Sequence, residues 1–559
     1  MNHSRWTLLP PVPEQLTQGT SLPPLLVQLL YNRGITDPGQ MQPFVTAASG
    51  LAGDPYLLDG MQQAVARVYQ ALLSGENIAV FGDFDADGVT ATALLVQGLS
   101  SLGGKVVPYI PHRVKEDHGL TNHALENLRQ QGISLVISVD CGITDVAEVA
   151  KAQKKGLDII ITDHHNPLPQ LPPAVAVVDP KLAGSRYPFS ELAGVGVAFK
   201  LYQAILQSLG KEELLDSVVD LVAMGTIADM SPLTGENRYL VKEGLGRINR
   251  LPRPGIREMM LQTDISPGSL DAEKISWVIA PRLNSSGRLT HAVTSYDLLM
   301  TESAEEASEL ARELGERNEE RQKLTAKTLA HAREQVLSEE AQPLLMVCGD
   351  DYPAGVIGLV AGRLVEEFYH PAVVIRMGEK ASNGSCRSIP EFNIVAALSQ
   401  CSQLLTRFGG HTQAAGFTLP TRNLPQLQQQ LSQLTAVHLA GLDLRPRIDI
   451  DTLVKLNELG GDTFEVTRML APFGRGNPLP TFLSLGVEVI GYRTMGNDGG
   501  HLKLKLKQNG TVWEAVGFRM GSRLNEASSH IDIVYNLEMD HWGGQSRLRL
   551  NIIDFVASR

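Results

Sequence analysis

Between residues 77 and 179 the chain alternates short apolar runs with amphipathic segments, and this alternation limits its fold more than any other feature. ENIAVFGDF, KVVPYI, SLVISVD, LDIIITD and AVAVVD read as buried strands. TATALLVQGLSSLGG, NHALENLRQQG and DVAEVAKAQKKG read as helices, each ending near a glycine. Such alternation requires right-handed crossovers, and hence a parallel sheet with helices on both faces. Four of the apolar runs end in acid: the cluster Asp83, Asp85 and Asp87, then Asp140, Asp163 and Asp179. Sites in open α/β sheets lie beyond the carboxyl ends of the strands. These acids are therefore expected along one rim.

The first cluster, in FGDFDADG, sets three carboxylates two residues apart. Like charges that close repel unless a cation sits among them. D-x-D-x-D-G opens the EF-hand pattern, but that loop needs a bidentate Glu at its twelfth position, where this chain has Leu94. It also needs a helix in front, and ENIAVFGDF reads as a strand. The calcium-loop reading fails. In ITDHHN, Asp163, His164 and His165 follow an apolar strand, and carboxylate with imidazole suits manganese, zinc or iron better than calcium. A paired histidine in a loop means little by itself; on a rim shared with Asp140 and the first cluster, it points to a metal.

The rest of the chain is organised differently. A chain of 559 residues is too long for one core and should divide into roughly three or four domains. Residues 190 to about 300 read as mainly helical. TESAEEASELARELGERNEERQKLTAKTLAHAREQVLSE reads as a long charged connector helix, with i,i+4 pairs Glu313–Arg317 and Glu319–Lys323. A mixed segment opens at PLLMVCGD. After RPRIDID, the strands GVEVIGYR, GHLKLKLK, TVWEAVGF, IDIVYNLEM and RLRLNIIDF suggest a small β-barrel.

Hydrophobic content of 43% and charged content of 20% are those of an ordinary globular chain. No apolar run approaches the roughly 20 residues a membrane span requires, and MNHSRWTLLPPVPEQL has no apolar h-region of the secretory kind. Cys141, Cys348, Cys386 and Cys401 show no C-x-x-C spacing, which fits reduced thiols in the cytoplasm. The net charge of −12 argues against a nucleic-acid partner only if it is spread evenly. Metal-binding carboxylates lower the total without removing a local basic groove.

VFGDFDADG, VDCG, TDHH and GTIADMSPL together resemble the four phosphoesterase motifs of the DHH superfamily. IPHRVKEDHGL, LAGVGVAFKL and APRLNSSGRL also match, GSCRSI and FGGHTQAAGF resemble the DHH-associated domain, and LAPFGRGNPLPTF resembles the run-in to an OB-fold. These matches extend from about residue 24 to the end, and the chain as a whole most resembles the superfamily's single-strand-specific 5′→3′ DNA exonucleases. The resemblance implies an α/β chain. It would have an N-terminal helical leader at 1–55, a parallel-sheet DHH catalytic domain at 56–300, a connecting helix at 301–340, an α/β DHH-associated substrate-binding domain at 341–440 and an OB-fold β-barrel for nucleic acid at 441–559.

It also implies roles. Asp85, Asp87, Asp140, His164 and Asp229 would hold two Mn²⁺ or Mg²⁺ ions, with Asp140 between them and the histidine favouring Mn²⁺. Asp83 and His165 would act beside them on ligands, water or the scissile phosphate. Two cations a few ångströms apart generate hydroxide and neutralise charge on the attacking and leaving oxygens. Asp179, in VVDP, reads as a strand-end acid outside this set. Arg282, Arg288, Ser385 and Arg387, from Gly-containing turns, would contact phosphates together with His411, Arg113 would be a further contact to the backbone, and a bound 5′-phosphate would set polarity. The expected partners are single-stranded DNA with a 5′ end and a helicase or single-strand-binding protein, in repair and recombination.

HLKLKLK places Lys503, Lys505 and Lys507 on one strand face, which is either a solvated face or a track for single-stranded DNA with Trp513, Phe518 or Trp542 as stacking platforms. Tyr352 and Pro353 stand where relatives often carry Trp-His, while His118 and Phe84 replace a common Tyr. Two other readings stay open: a DHH phosphodiesterase for short oligonucleotides, which would not need the barrel, and a non-catalytic single-strand-binding scaffold, which would not need every ligand.

Overall fold

A computed structural model describes residues 4–558 apart from 114, 115, 117, 118, 339, 341, 497, 498, 543 and 544; the side chains of Leu51 and of residues 541–546 are also outside it. His118 and the Trp542 side chain therefore lie outside the described set. The chain forms two compact units, one of residues 1–111, 117–280 and 447–559, the other of residues 112–116 and 281–446.

In the first unit, five parallel strands run in the order Lys105–Tyr109, Asn77–Gly82, Leu135–Val139, Asp158–Thr162, Ala176–Val178. All five residues of Leu135–Val139 are buried, as expected of a central strand covered on both faces. The helices Ala86–Ser101, Asn122–Gln130 and Val146–Gln153 make the crossovers. The chain starts in the sheet interior, moves to one edge, then returns and proceeds to the other. The strand order thus reverses beside Asn77–Gly82 and Leu135–Val139, where such sheets open a crevice for a ligand.

The same unit contains a barrel. Strands Phe482–Met495, His501–Gln508, Thr511–Gly517, Gln545–Ala557 and His530–Trp542 pair in that order, and Phe482–Met495 closes the ring by pairing with His530–Trp542. Closure removes the exposed edges of a small sheet. The leader proves to be more than helical: Arg5–Leu8 is a strand paired in parallel with Arg447–Ile450, because Trp6 finds a hydrogen-bond acceptor in Asp554 of the barrel at 2.9 Å. The helix Pro24–Asn32 buries Leu26, Leu29 and Leu30 in one cluster with Leu470. Arg238, wholly buried, donates to the carbonyls of Phe44, Leu470 and Ala471 at 2.6–2.8 Å and lies over the Phe44 ring. One guanidinium therefore ties the N-terminal segment, helix Gly235–Arg250 and the approach to the barrel.

In the second unit, strands Leu345–Gly349 and Ala372–Arg376 are parallel, while Ala381–Arg387, Ala414–Pro420 and Arg407–His411 extend the sheet antiparallel. Helix Ala304–Ser338 buries Ala307, Ala311, Leu314 and Asn318 at steps of four, three and four, the stripe that packs, while its charges stay outside. Its intrahelical ion pairs are Arg312–Glu316 and Arg317–Glu320 in place of those expected from spacing. Side-chain rotamers, which spacing does not determine, choose among neighbours of equal separation.

Candidate metal centre

The carboxylates reach the rim through different local devices. Asp85 caps helix Ala86–Ser101, its Oδ1 accepting from the amides of Asp87 at 2.9 Å and Gly88 at 3.2 Å. A Cβ on Gly88 would stand 2.5 Å from the backbone N and O of Asp83, so the final glycine of FGDFDADG is what lets this first turn fold back on the strand end. Asp87 then lies inside the helix and is buried. Its two oxygens accept from the amides of Gly194 at 2.7 Å and Val195 at 2.8 Å, at the start of helix Gly194–Leu209. A helix N-terminus favours the negative charge there. Gly194 also has to be bare, since a Cβ would fall 2.5 Å from the Cβ of Asp140.

Asp140 follows strand Leu135–Val139 with φ of 60°, a left-handed conformation that Asp adopts more readily than most non-glycine residues and that recurs at functional sites. Asp163 ends the next strand. Its Oδ2 accepts from the Ile143 amide at 3.0 Å, and its Oδ1 accepts from the amides of His164 and His165 and from His165 Nδ1 at 2.7 Å. Asp163 is thus the clamp that turns both histidines. Asp229 caps the C-terminus of helix Val219–Ala228 and accepts from Ser231 Oγ at 2.6 Å.

These elements bring together every candidate in the proposed centre. One ligand atom each from Asp83, Asp85 and Asp140 lies within 4.8 Å of the others; so do those of Asp87, His164 and Asp229, and those of Asp140, His164 and His165. His164 Nε2 stands 3.1 Å from Asp140 Oδ1, yet both atoms are buried and neither makes a hydrogen bond. Orphaned acceptors facing one another are what a cation would satisfy. Asp179 is not in these groups; its Oδ1 accepts from the Lys181 amide.

The electrostatics agree. Burial, with the charges of Asp83 and Asp229, pushes Asp85 up to about 6, and burial among neighbouring acids lifts Asp87 and Asp140 well above the carboxylate range. Burial holds His164 down at about 4, so its imidazole is neutral and able to bind a metal. Burial opposes charge on Asp163 and His165 too, but their hydrogen bond and mutual attraction prevail, placing Asp163 at about 2 and His165 at about 9. Among the described residues no Lys or Arg pairs with Asp85, Asp87, Asp140 or Asp229. A divalent cation fits this donor set: hard oxygens, one neutral imidazole and excess negative charge.

Comparison with known proteins bears directly on this reading. The DHH family N-terminal domain matches residues 77–226, the DHHA1 domain residues 340–436 and the RecJ OB domain residues 450–554. The chain is 37% identical to the single-stranded-DNA-specific exonuclease RecJ of Bacillus subtilis, over 99% of this chain and 71% of that one. It is 33% identical to that of Dickeya dadantii, over 95% and 96%. The chain belongs to the RecJ family. The crystal structure of RecJ from Thermus thermophilus in complex with Mn²⁺ superimposes with a TM-score of 0.87 at 30% identity, covering 99% of this chain and 80% of that one. A second structure from the same organism, in complex with Mg²⁺, gives 0.80.

Within the second unit Arg113 is in a turn, whereas the other RecJ-family phosphate candidates stand on regular elements and not on the Gly-containing turns expected for Arg282, Arg288, Ser385 and Arg387. Arg282 and Arg288 lie on helix Ala280–Leu289, which runs through NSSG, and within it the Ser285 and Ser286 hydroxyls donate to the carbonyls of Arg282 and Leu283. Ser385 and Arg387 lie on strand Ala381–Arg387, with Arg387 Nη1 3.3 Å from Ser385 Oγ. A Cβ on Gly358, in the first turn of helix Ile357–Phe368, would stand 3.0 Å from Ser385 Oγ and 3.1 Å from Arg387 Nη2. Arg288 donates to the Gly355 carbonyl at 3.1 Å, and the Arg387 guanidinium, its proton affinity lowered first by burial, also feels the Arg113 charge. Three of the six candidates, Arg288, Ser385 and Arg387, thus lie against the short segment from Gly355 to Gly358. His411 is in register with Ala414, itself paired with Arg387, two strands away in one row. Tyr352 is buried, and its hydroxyl meets His331 Nδ1 of the long helix at 3.0 Å.

On the barrel, Leu502, Leu504 and Leu506 are buried, leaving Lys503, Lys505 and Lys507 on the outer face. Lys503 pairs with Glu514 and Lys507 with Glu488, leaving Lys505 the most exposed. Trp513 is not an open platform. Its indole nitrogen donates to the Leu456 carbonyl at 2.9 Å and its ring packs on the barrel core. Phe518 is exposed, edge-on to His501 at 5.5 Å, with the Arg549 guanidinium 5.7 Å from its ring. Asp163 and the Gly194–Val195 amides are the contributors that sequence motifs under-read. Asp163 carried a signal in TDHH, whereas two backbone amides carry none.

Proposed function

We propose that this chain is a metal-dependent exonuclease that degrades single-stranded DNA from its 5′ end to 5′-mononucleotides, in DNA repair and recombination. The observation that carries this reading is the gathering of Asp83, Asp85, Asp87, Asp140, His164, His165 and Asp229 on one rim of a chain that matches RecJ proteins along its length. Asp85, Asp87, Asp140, His164 and Asp229 hold the cations, with Asp140 shared. When bound, two Mn²⁺ or Mg²⁺ ions supply a hydroxide near neutral pH and neutralise charge on the phosphodiester oxygens. His165, charged through Asp163, aims an N–H at a phosphate or leaving oxygen, and Asp83 orients water or a ligand.

Arg113, Arg282, Arg288, Ser385, Arg387 and His411 bind phosphates, and a site for the terminal 5′-phosphate sets direction. Lys503, Lys505 and Lys507 with Phe518 guide the strand along the barrel. The expected setting is the cytoplasm, with a helicase or single-strand-binding protein supplying the strand; among the described residues no helix is long and apolar enough to cross a membrane. The division into leader, catalytic, connecting, DHH-associated and OB segments is kept as the working organisation.

The test digests 5′- and 3′-labelled single and double strands, of DNA and RNA, with Mn²⁺ or Mg²⁺. Release from the 5′ end of single-stranded DNA is expected. Asp140→Ala should abolish hydrolysis while single-strand binding survives, and normal turnover in that variant would contradict the metal assignment.

A further inference from the structure

Glu236, Asn237 and Arg238, in the first turn of helix Gly235–Arg250, are three fully buried polar residues in a row. Burying a polar group costs free energy unless a partner satisfies it, so the partners show what each residue holds. Glu236 accepts from Lys200 Nζ at 2.8 Å and from the Tyr187 hydroxyl at 2.5 Å, and Lys200 belongs to helix Gly194–Leu209. Asn237 donates through Nδ2 to two carbonyls, those of Glu191 at 2.6 Å and Pro232 at 3.1 Å. Its Oδ1 is buried without a hydrogen bond among the described residues. Turning the carboxamide over would set that oxygen against both carbonyls, so the orientation is fixed by the two bonds it makes.

Each of these carbonyls lies three residues from a group that serves the metal centre. Glu191 precedes Gly194, whose amide, with that of Val195, holds the Asp87 carboxylate. Pro232 follows Asp229, and Ser231 between them donates to Asp229 Oδ2 at 2.6 Å. Asp87 and Asp229 share one cluster with His164, their ligand atoms within 4.8 Å of one another. We propose that Asn237 is a positioning residue that sets the spacing of Asp87 and Asp229, and through it the affinity of one of the two cation sites. The inference rests on the metal assignment and adds to it a residue that touches neither cation nor substrate. Closing the hairpin of helices Val219–Ala228 and Gly235–Arg250 would need only the bond to Pro232; the bond to Glu191 reaches across 46 residues. The close approach of those helices has its own device in Gly244, where a Cβ would stand 2.4 Å from the Val219 carbonyl oxygen. The other cluster, Asp83, Asp85 and Asp140, follows the ends of strands Asn77–Gly82 and Leu135–Val139, to which Asn237 makes no hydrogen bond. The effect of Asn237 is therefore confined to one site.

Calorimetry of Mn²⁺ binding to the full chain tests this, alongside hydrolysis of a thymidine oligomer. Asn237→Leu keeps the shape of the side chain and removes both donors, whereas Asn237→Ala also leaves a cavity. In each variant that folds by circular dichroism, one Mn²⁺ site should weaken by about ten- to a hundred-fold, the usual effect of losing a group that orients metal ligands, while the other stays within about threefold. At limiting Mn²⁺, kcat should fall by a similar factor with KM for the oligomer within about threefold, and excess Mn²⁺ should restore kcat. A general loosening of the fold would instead weaken both sites and raise KM, and that result overturns the inference. So does wild-type affinity at both sites in a folded variant, or a failure of both variants to fold, and in these cases the metal assignment stands. A wild type that binds fewer than two Mn²⁺ ions overturns both.

Discussion

Replacing Asp163 with Asn isolates the clamp from the cation ligands, because it keeps shape and removes charge. The carboxylate accepts four hydrogen bonds: from the Ile143, His164 and His165 amides and from His165 Nδ1. A carboxamide has one accepting oxygen. With that oxygen toward the histidines, its NH₂ meets the Ile143 N–H, donor against donor, at a cost of about 1–3 kcal/mol for buried groups left unpaired. The lost ion pair adds more. From the His165 side, a rise from 6.5 to about 9 corresponds to about 3 kcal/mol; from the Asp163 side, a fall from 3.8 to about 2 corresponds to about 2 kcal/mol. The smaller figure is preferred because the His165 side chain is 37% exposed and water screens it.

The sum is a loss of about 3–5 kcal/mol for the metal-free protein at pH 6, where His165 is charged in both folded and unfolded chains. The folded-state value is the raised one, so this contribution is complete below 6.5 and disappears as pH rises through about 9. Urea unfolding at pH 6 and above pH 9 should show the larger deficit at pH 6. NMR titration should find His165 well below 9 in Asp163→Asn, since only the charges of Asp83 and Asp229 then oppose burial. A His165 still titrating near 9, or a deficit under 1 kcal/mol at pH 6, would refute the clamp.

Two other outcomes follow from the same geometry. Mn²⁺ binding should release protons between pH 6 and 7, because Asp85 at about 6 and the higher Asp87 and Asp140 must lose them, whereas His164 at about 4 is already neutral. Calorimetry in buffers of different ionisation enthalpy measures the release, and affinity should climb with pH over that interval; a flat profile would count against the assigned ligands. Gly194→Ala inserts a Cβ 2.5 Å from that of Asp140, so the helix that supplies two amides to Asp87 must shift. A displacement near 1 Å should lower kcat about a hundred-fold, with Mn²⁺ affinity falling in parallel by calorimetry, and near-normal turnover would show that the helix is free to yield.

Much of the centre was legible in the residues. The period of the apolar runs and the acids at their ends determined a parallel sheet and the rim on which Asp83, Asp85, Asp87, Asp140 and the histidines meet, since strand-end position is a local property of the chain. The alternation in HLKLKLK likewise determined which face Lys503, Lys505 and Lys507 take, because a strand has a period of two. Other features were illegible. Ser385 and the two arginines of RLNSSGR read as turn residues, yet packing drew them into a strand and a helix. Trp513 and Trp277 look alike as tryptophans in apolar surroundings, but one was turned to a carbonyl on the barrel core and the other to water.

What the sequence determined by itself was therefore the set of groups with affinity for a cation and the edge on which they lie. Only the tertiary structure decided how that set is held, by two amides from residues 194 and 195 on the carboxylate of residue 87 and by one buried acid turning two histidines, and, away from the set, that the arginine at 238 ties residues 44 and 470 together. The physical reason is range. Periodicity and strand ends are set by neighbours within a few residues, whereas a hydrogen bond across a hundred residues exists only once the packing of apolar faces has brought its partners within 3 Å.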